Sequence, residues 1–192
     1  MSTPIVDPTP PIIDPTLTFR LVKERLAVEE NARLRQVLEA TLDHMEAEST
    51  GDFERLVATL APNPEYHRWG SSPVENGAKG RAAVEEFYRD FIASGCDVLH
   101  HDIDRLTVDT HTIVTEGEIR IAYPGKVLAA QGMPLDDEDA YYLFRSRMCI
   151  VWVYDDDAKL LAEDAYSTGD GFFPLRKIEE HEMPEELRVR LR

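Results

Sequence analysis

The hydrophobic period of this chain changes once, at Gly95, and that change limits the fold more than any single motif does. Upstream of it, Val84, Phe87, Tyr88, Phe91 and Ile92 fall at i, i+3, i+4, i+7 and i+8. That spacing predicts a helix over 81–94, closed by Gly95. Downstream the period is two. Four runs, over 96–109, 111–125, 141–156 and 158–168, read as strands. In the second run Ile113, Thr115, Gly117, Ile119 and Ile121 share one face, while Glu116, Glu118 and Arg120 take the other. In the third, Met148, Ile150, Trp152 and Tyr154 share a face, and Asp155, Asp156 and Asp157 turn the chain into the fourth.

The rest of the upstream half is mostly helical in pattern. Leu34, Val37, Leu38, Thr41 and Met45 predict a long helix over about 19–49 that ends at Gly51; its more charged first half can also stand as a separate helix. Asp52 caps a second helix with the stripe Phe53, Leu56, Val57 and Leu60, and Pro62 and Pro64 stop it. A short strand at 65–69 and a Gly/Ser/Pro/Asn loop at 70–80 follow. Three helices with one short strand among them, then a four-strand meander, make an α+β layout: a curved antiparallel or mixed sheet wrapped round three helices. Such a sheet encloses a cone-shaped internal pocket.

Residues 1–16 hold five prolines and read as an extended arm, either disordered or laid across a neighbouring subunit. The cone-shaped domain spans 17–174. A charged tail, with a short helix after Pro184, spans 175–192. The segment between Gly125 and Asp139 reads as a loop long enough to act as a lid.

Charge narrows the partners. With 37 acidic against 21 basic residues the net charge is -16, which repels phosphate backbones and anionic bilayers, so neither nucleic acid nor a membrane is expected. The N-terminus lacks the charged and apolar regions of a signal peptide, and Cys96 and Cys149 form no zinc-type spacing. A reduced, cytoplasmic protein is the expectation, as a homo-oligomer (dimer or trimer), because an exposed sheet face needs covering.

Five stretches, STGDFERLVATLAP, EYHRWG, KGRAAVEEFY, HDIDRLTVDTHTIV and IVWVYDDDAKLLAEDAY, occur in that order. Across roughly residues 34–170 the chain resembles the nuclear transport factor two-like superfamily, which includes SnoaL-like polyketide cyclases, ketosteroid isomerase and scytalone-type dehydratases. The resemblance implies a cone-shaped pocket open at one end. It places the isomerase's general base, on the first short strand, at His67. The helix tyrosine that donates to an oxyanion falls on His44, and a second tyrosine of that network matches Tyr88. The carboxylic acid completing that oxyanion hole falls on Ile150. In the dehydratases a catalytic histidine heads the strand after the third helix in an H-x-I pattern, which His101-Asp102-Ile103 fits. The aspartate that members often carry before the second helix falls on Ser49. Glu163 on the last strand, or Glu65 on the first, is then left as the imidazole's carboxylate partner.

Alternation groups Glu65, His67 and Trp69 on one face of the short strand, and Glu163 with Leu161 and Ala165 on the last, with Asp164 inward instead if the register slips by one. An imidazole in a partly dry site exchanges protons near pH 7. The plain alternative for each histidine, and for Tyr88, is a core residue with its polar atoms satisfied. Trp69, Phe87, Ile121, Met148, Ile150 and Trp152 are the candidate apolar walls around a small-molecule ligand. The histidines come from separate elements without an HxH or HxxxH pair, so no metal is expected. The expected function is a cofactor-independent dehydratase, isomerase or cyclase acting on a small apolar oxygenated molecule such as a polyketide, steroid or aromatic metabolite. His67 or His101 is its base, His44 or Tyr88 the oxyanion donor, and Glu163 orients an imidazole. A ligand-binding or oligomerisation module of the same fold is the alternative.

Overall fold

The computed structural model describes residues 11–70, 76–184 and 188. Most of the proline-rich arm, the middle of the 70–80 loop and the helix expected after Pro184 lie outside the described residues. The elements run α1 (Arg20–Val28), α2 (Ala32–Thr50), α3 (Phe53–Ala58), β1 (Leu60–Trp69), α4 (Arg81–Ala93), β2 (Leu99–Val108), β3 (Thr112–Pro124), α5 (Gly125–Ala130), β4 (Tyr141–Tyr154) and β5 (Leu160–Ser167).

Of the two readings of 19–49, the structure has the separate first helix: α1 and α2 are distinct. Asn31 caps the second: its Oδ1 accepts from the N–H groups of Arg33 (2.9 Å) and Leu34 (3.2 Å). Arg35 closes the first by donating to the carbonyls of Leu26 and Glu29, both at 3.0 Å. Gly51, at φ 64°, ends α2 in the left-handed region. Asp52 then caps α3 through the Arg55 N–H (3.2 Å).

The five strands form one mixed sheet in the order β1-β5-β4-β3-β2. β1 runs parallel to β5, and every other pair is antiparallel. β1 begins at Leu60 rather than 65. As an edge strand it tolerates Pro62 and Pro64, which cannot donate to a ladder. Its outer side is partly covered by 76–80: the N–H groups of Tyr66 and Arg68 donate to the carbonyls of Ala78 (2.8 Å) and Asn76 (2.6 Å). Curvature has a visible source at Gly117. A Cβ there would lie 2.1 Å from the Asp102 carbonyl oxygen, and opposite it β2 carries a bulge between Ile103 and Arg105.

The main core lies between α1–α4 and the concave face and includes Val37, Leu38, Leu56, Val84, Ile113 and Leu160. A second cluster sits elsewhere, joining Ile13, Val98, Ala122, Leu143, Ile178 and Met183. Both ends of the described chain build it. The Ile12 N–H donates to Glu182 O (2.6 Å), and the Leu143 and Ile178 N–H groups donate to Arg176 O (2.9 Å) and Tyr141 O (2.8 Å). The arm residues from Ile12 therefore pack on this chain. The segment expected as a loop after Gly125 opens with α5, because Leu128 is buried and Lys-Val-Leu-Ala-Ala favours a helix. Among the described residues no helix is long and apolar enough to cross a membrane.

Candidate functional site

A cavity of about 480 Å³ opens between α2, α4 and the concave face of the sheet. Its walls are mostly apolar: Phe87 and Phe91 of α4 face Ile121 of β3 and Met148, Ile150 and Trp152 of β4. The sheet alternation dictates this, since Met148, Ile150 and Trp152 stand on one face of β4. Trp152 is fixed in its rotamer by donating Nε1–H to Thr115 Oγ1 at 3.0 Å. Charged-type side chains line the same space: Glu48 from α2, Arg68 from β1, Asp90 from α4 and Glu163 from β5.

β1 presents the opposite face from the one expected. Tyr66 is buried and Arg68 reaches the cavity, whereas Glu65 and His67 stand outside it. The cause is the large ring of Tyr66, which takes the core position and sets the alternation for its neighbours. In the parallel register Tyr66 pairs with Glu163 and His67 with Asp164. His67 Nδ1 meets Asp164 Oδ1 at 2.6 Å, and Nε2 lies 3.8 Å from Glu65 Oε2. Both partners are about one quarter exposed. His67 as a cavity-facing base, with Glu65 beside it, is thus corrected to an outward His–Asp pair. Trp69 reaches the cavity from the strand's end, its ring stacked on His67 (5.5 Å) and Tyr166 (4.6 Å).

His44 and Tyr88 also stand behind the wall rather than in it. Both are fully buried, and the His44 ring meets Trp152 edge-on at 5.6 Å. His44 Nδ1 lies 2.7 Å from Thr59 Oγ1, whose hydroxyl donates to Leu56 O at 2.6 Å. Thr59 has no second proton, so Nδ1–H is the donor there. Burial pushes the His44 pKa down to about 3, so the ring is neutral and Nε2 accepts from Tyr88 Oη at 3.0 Å. Tyr66 Oη, 2.5 Å away, then donates to Tyr88. The chain Tyr66–Tyr88–His44–Thr59 runs in one direction and uses the protons expected to serve an oxyanion.

His101 does line the cavity, with His100 on the opposite face of β2. Burial, and then the neighbouring His100, push the His101 pKa down to about 4, which leaves it neutral. Its Nε2 has no partner among the described residues, and its backbone N–H donates to Thr18 Oγ1 at 3.0 Å.

The carboxyls carry the strongest departures toward neutral pH. Burial pushes Glu48 up to about 8; the charge of Glu163 adds to this and Arg68 opposes it. Burial pushes Glu163 up to about 7, opposed by Arg68 and reinforced by Asp164. Neither carboxyl has a hydrogen-bond partner among the described residues. Glu48 and Arg68 were not among the residues expected from sequence. Thr41, Met45 and Glu48 continue the buried stripe of α2 at helical spacing, and Arg68 follows from Tyr66 by alternation, so both had a signal. Among the described residues no three His, Cys, Asp or Glu side chains converge on a metal position.

Comparison with known proteins agrees with this architecture. The SnoaL-like domain model matches residues 41–158. An epoxide hydrolase/cyclase-like enzyme of pyran ring formation in the polyether salinomycin superposes with TM-score 0.50 and 11% identity, over 69% of this chain and 91% of that one. An epoxide hydrolase of Mycobacterium tuberculosis described as LEH-like gives TM-score 0.52 and 14% identity, over 72% and 82%. Another M. tuberculosis protein, crystallised with estradiol-17β-hemisuccinate, gives 0.50 and 15%, over 68% and 92%. No curated protein matches the chain. The family match across more than half of the sequence, on a five-stranded mixed sheet curved over helices, makes this chain a member of the SnoaL-like domain family with the NTF2-like fold.

Proposed function

We propose that the cavity is an acid–base active site in which Glu163 takes a proton from the substrate and Glu48 gives one. The observation that carries this is the pair of half-buried carboxyls, without hydrogen bonds among the described residues, in one largely apolar cavity with a single guanidinium opposing both shifts. Near pH 7 Glu48 holds its proton while Glu163 is partly ionised, so an acid and a base are present together. For a β-hydroxy carbonyl, Glu163 removes the α-proton and Glu48 protonates the departing hydroxyl, which leaves as water. The same pair suits isomerisation or the attack of an internal hydroxyl in a cyclisation. The apolar walls and the volume suit a small oxygenated molecule. Two structural relatives are described as epoxide hydrolase-like, and one holds a steroid ester, which is compatible with such ligands. No step invokes a cofactor. His101 supplies a neutral imidazole in the wall, and the His44–Tyr88–Tyr66 chain fixes the wall behind Trp152.

The test is turnover of a panel of apolar β-hydroxy ketones, enones and epoxy alcohols. Activity should rise through about pH 7 as Glu163 ionises and fall through about pH 8 as Glu48 does. Glu163→Gln should remove the rising limb and Glu48→Gln the falling one. A profile unchanged in both variants excludes the pair from the chemistry.

A further inference from the structure

We infer that the ligand of this cavity is an apolar carboxylic acid whose carboxylate is held by Arg68. The inference rests on the reading of the cavity as a substrate site and adds the ligand's charge and its anchor. The Arg68 guanidinium lies 4.3 Å from the centroid of Phe87, so one face is covered by the ring. Its N–H edges make no hydrogen bond or ion pair among the described residues. Arg147 is held by Asp104 at 2.6 Å and Arg55 by Asp43 at 2.7 Å, while Arg68 lines a cavity with Glu48, Asp90 and Glu163 and pairs with none of them. A planar fork, stacked on an aromatic face with its edges free, matches a carboxylate in two parallel hydrogen bonds. Phe91, Ile121 and Trp152 line the same cavity and suit the apolar body.

Electrostatics permits an anion here despite the overall charge of -16. That field is screened beyond about 8 Å at physiological salt, so the local groups decide. Facing Arg68 are Glu48 of α2, Asp90 of α4, Tyr123 of β3 and Glu163 of β5, with Asp164 on the far side of β5. Glu48 is protonated at neutral pH and Glu163 only partly ionised, so these two carboxyls carry only part of their full charge when the ligand enters. A carboxylate on Arg68 neutralises the one group that holds both glutamates down. Binding should therefore draw protons onto Glu163 and Glu48, and a neutral isostere should not.

Titration calorimetry of the full-length protein at pH 7, in phosphate and in Tris, tests this with matched pairs. Each pair is a carboxylate and its primary amide on one apolar body: phenylbutyrate, naphthylacetate and dodecanoate. At least one acid should bind roughly tenfold or more tighter than its amide and with greater proton uptake. Arg68→Met should abolish that preference and Arg68→Lys keep part of it, each checked for folding by circular dichroism; Arg68→Lys carries the test if the methionine variant fails to fold. Equal affinity of acid and amide, no binding of either, equal proton uptake, or a preference that survives loss of the guanidinium overturns the inference. Failure of the acid–base reading is distinguishable. Selective binding by a protein with no turnover removes the catalytic roles of Glu163 and Glu48 and leaves the Arg68 anchor standing.

Discussion

Glu163 and Asp164 are neighbours on β5 with the same functional group, and they meet opposite surroundings. Glu163 points into the cavity, half-buried and without a hydrogen bond among the described residues. Asp164 points outward, about one quarter exposed, and is satisfied by His67 at 2.6 Å. By residue type the outer group of His67, Asp164 and Glu65 looks more like a catalytic constellation than the inner one does. Desolvation and the lack of a partner, rather than the presence of an imidazole, place a proton near neutral pH on the inner side.

The sharpest way to break this contrast is to neutralise each acid in turn. Glu163→Gln should lower turnover by roughly 10²–10⁴-fold. Asp164→Asn should leave it within roughly threefold, because a partly exposed ion pair contributes little. Comparable losses in both would collapse the distinction. The two histidines extend it to stability. His44→Ala leaves a void and strands Tyr88 and Thr59, and should cost about 3 kcal/mol or more in urea unfolding. His67→Ala should cost about 1 kcal/mol or less.

The pH dependence of stability gives a smaller signal. The folded-state pKa of Glu48, about 8, is above its ordinary 4.5, so the folded chain holds a proton that the unfolded chain has released. Stability should fall as pH rises through that window, by up to about 1.4 kcal/mol per pH unit for one group. Glu48→Gln should flatten that slope. On the acid side His44 and His101, at about 3 and 4 against an ordinary 6.5, act in the opposite sense: their contribution is present above 6.5 and is lost as pH falls toward those values. Urea midpoints measured from pH 5 to 8.5 check both directions.

Much of the fold was legible because periodicity is a local property. The stripe from Val84 to Ile92 and the alternation from Ile113 to Ile121 each report a buried face without knowledge of the partner. Most of the apolar wall followed, since Ile121, Met148, Ile150 and Trp152 repeat at period two. The face of β1 did not follow. Glu65-Tyr66-His67-Arg68-Trp69 alternates polar and aromatic residues with no clear apolar set, so a slip of one position reverses every side chain. What decides it is the packing of Tyr66 against Tyr88 and the pairing with Glu163, contacts made by α4 and by a strand nearly a hundred residues away. The division of the first helix was legible as an option in the charge of its first half, and Asn31, a preferred cap residue, marks where it falls.

The parallel seam between β1 and β5 has a consequence for biosynthesis. One side of the cavity wall, Arg68, leaves the ribosome early, and the other, Glu163, belongs to the last strand of the sheet. Until that final strand inserts between β1 and β4, the emerging polypeptide carries a buried-type glutamate on α2 and an unmatched edge, but no pocket. A product cut short before residue 160 would retain α1–α5 and still lack the place where the proposed chemistry occurs.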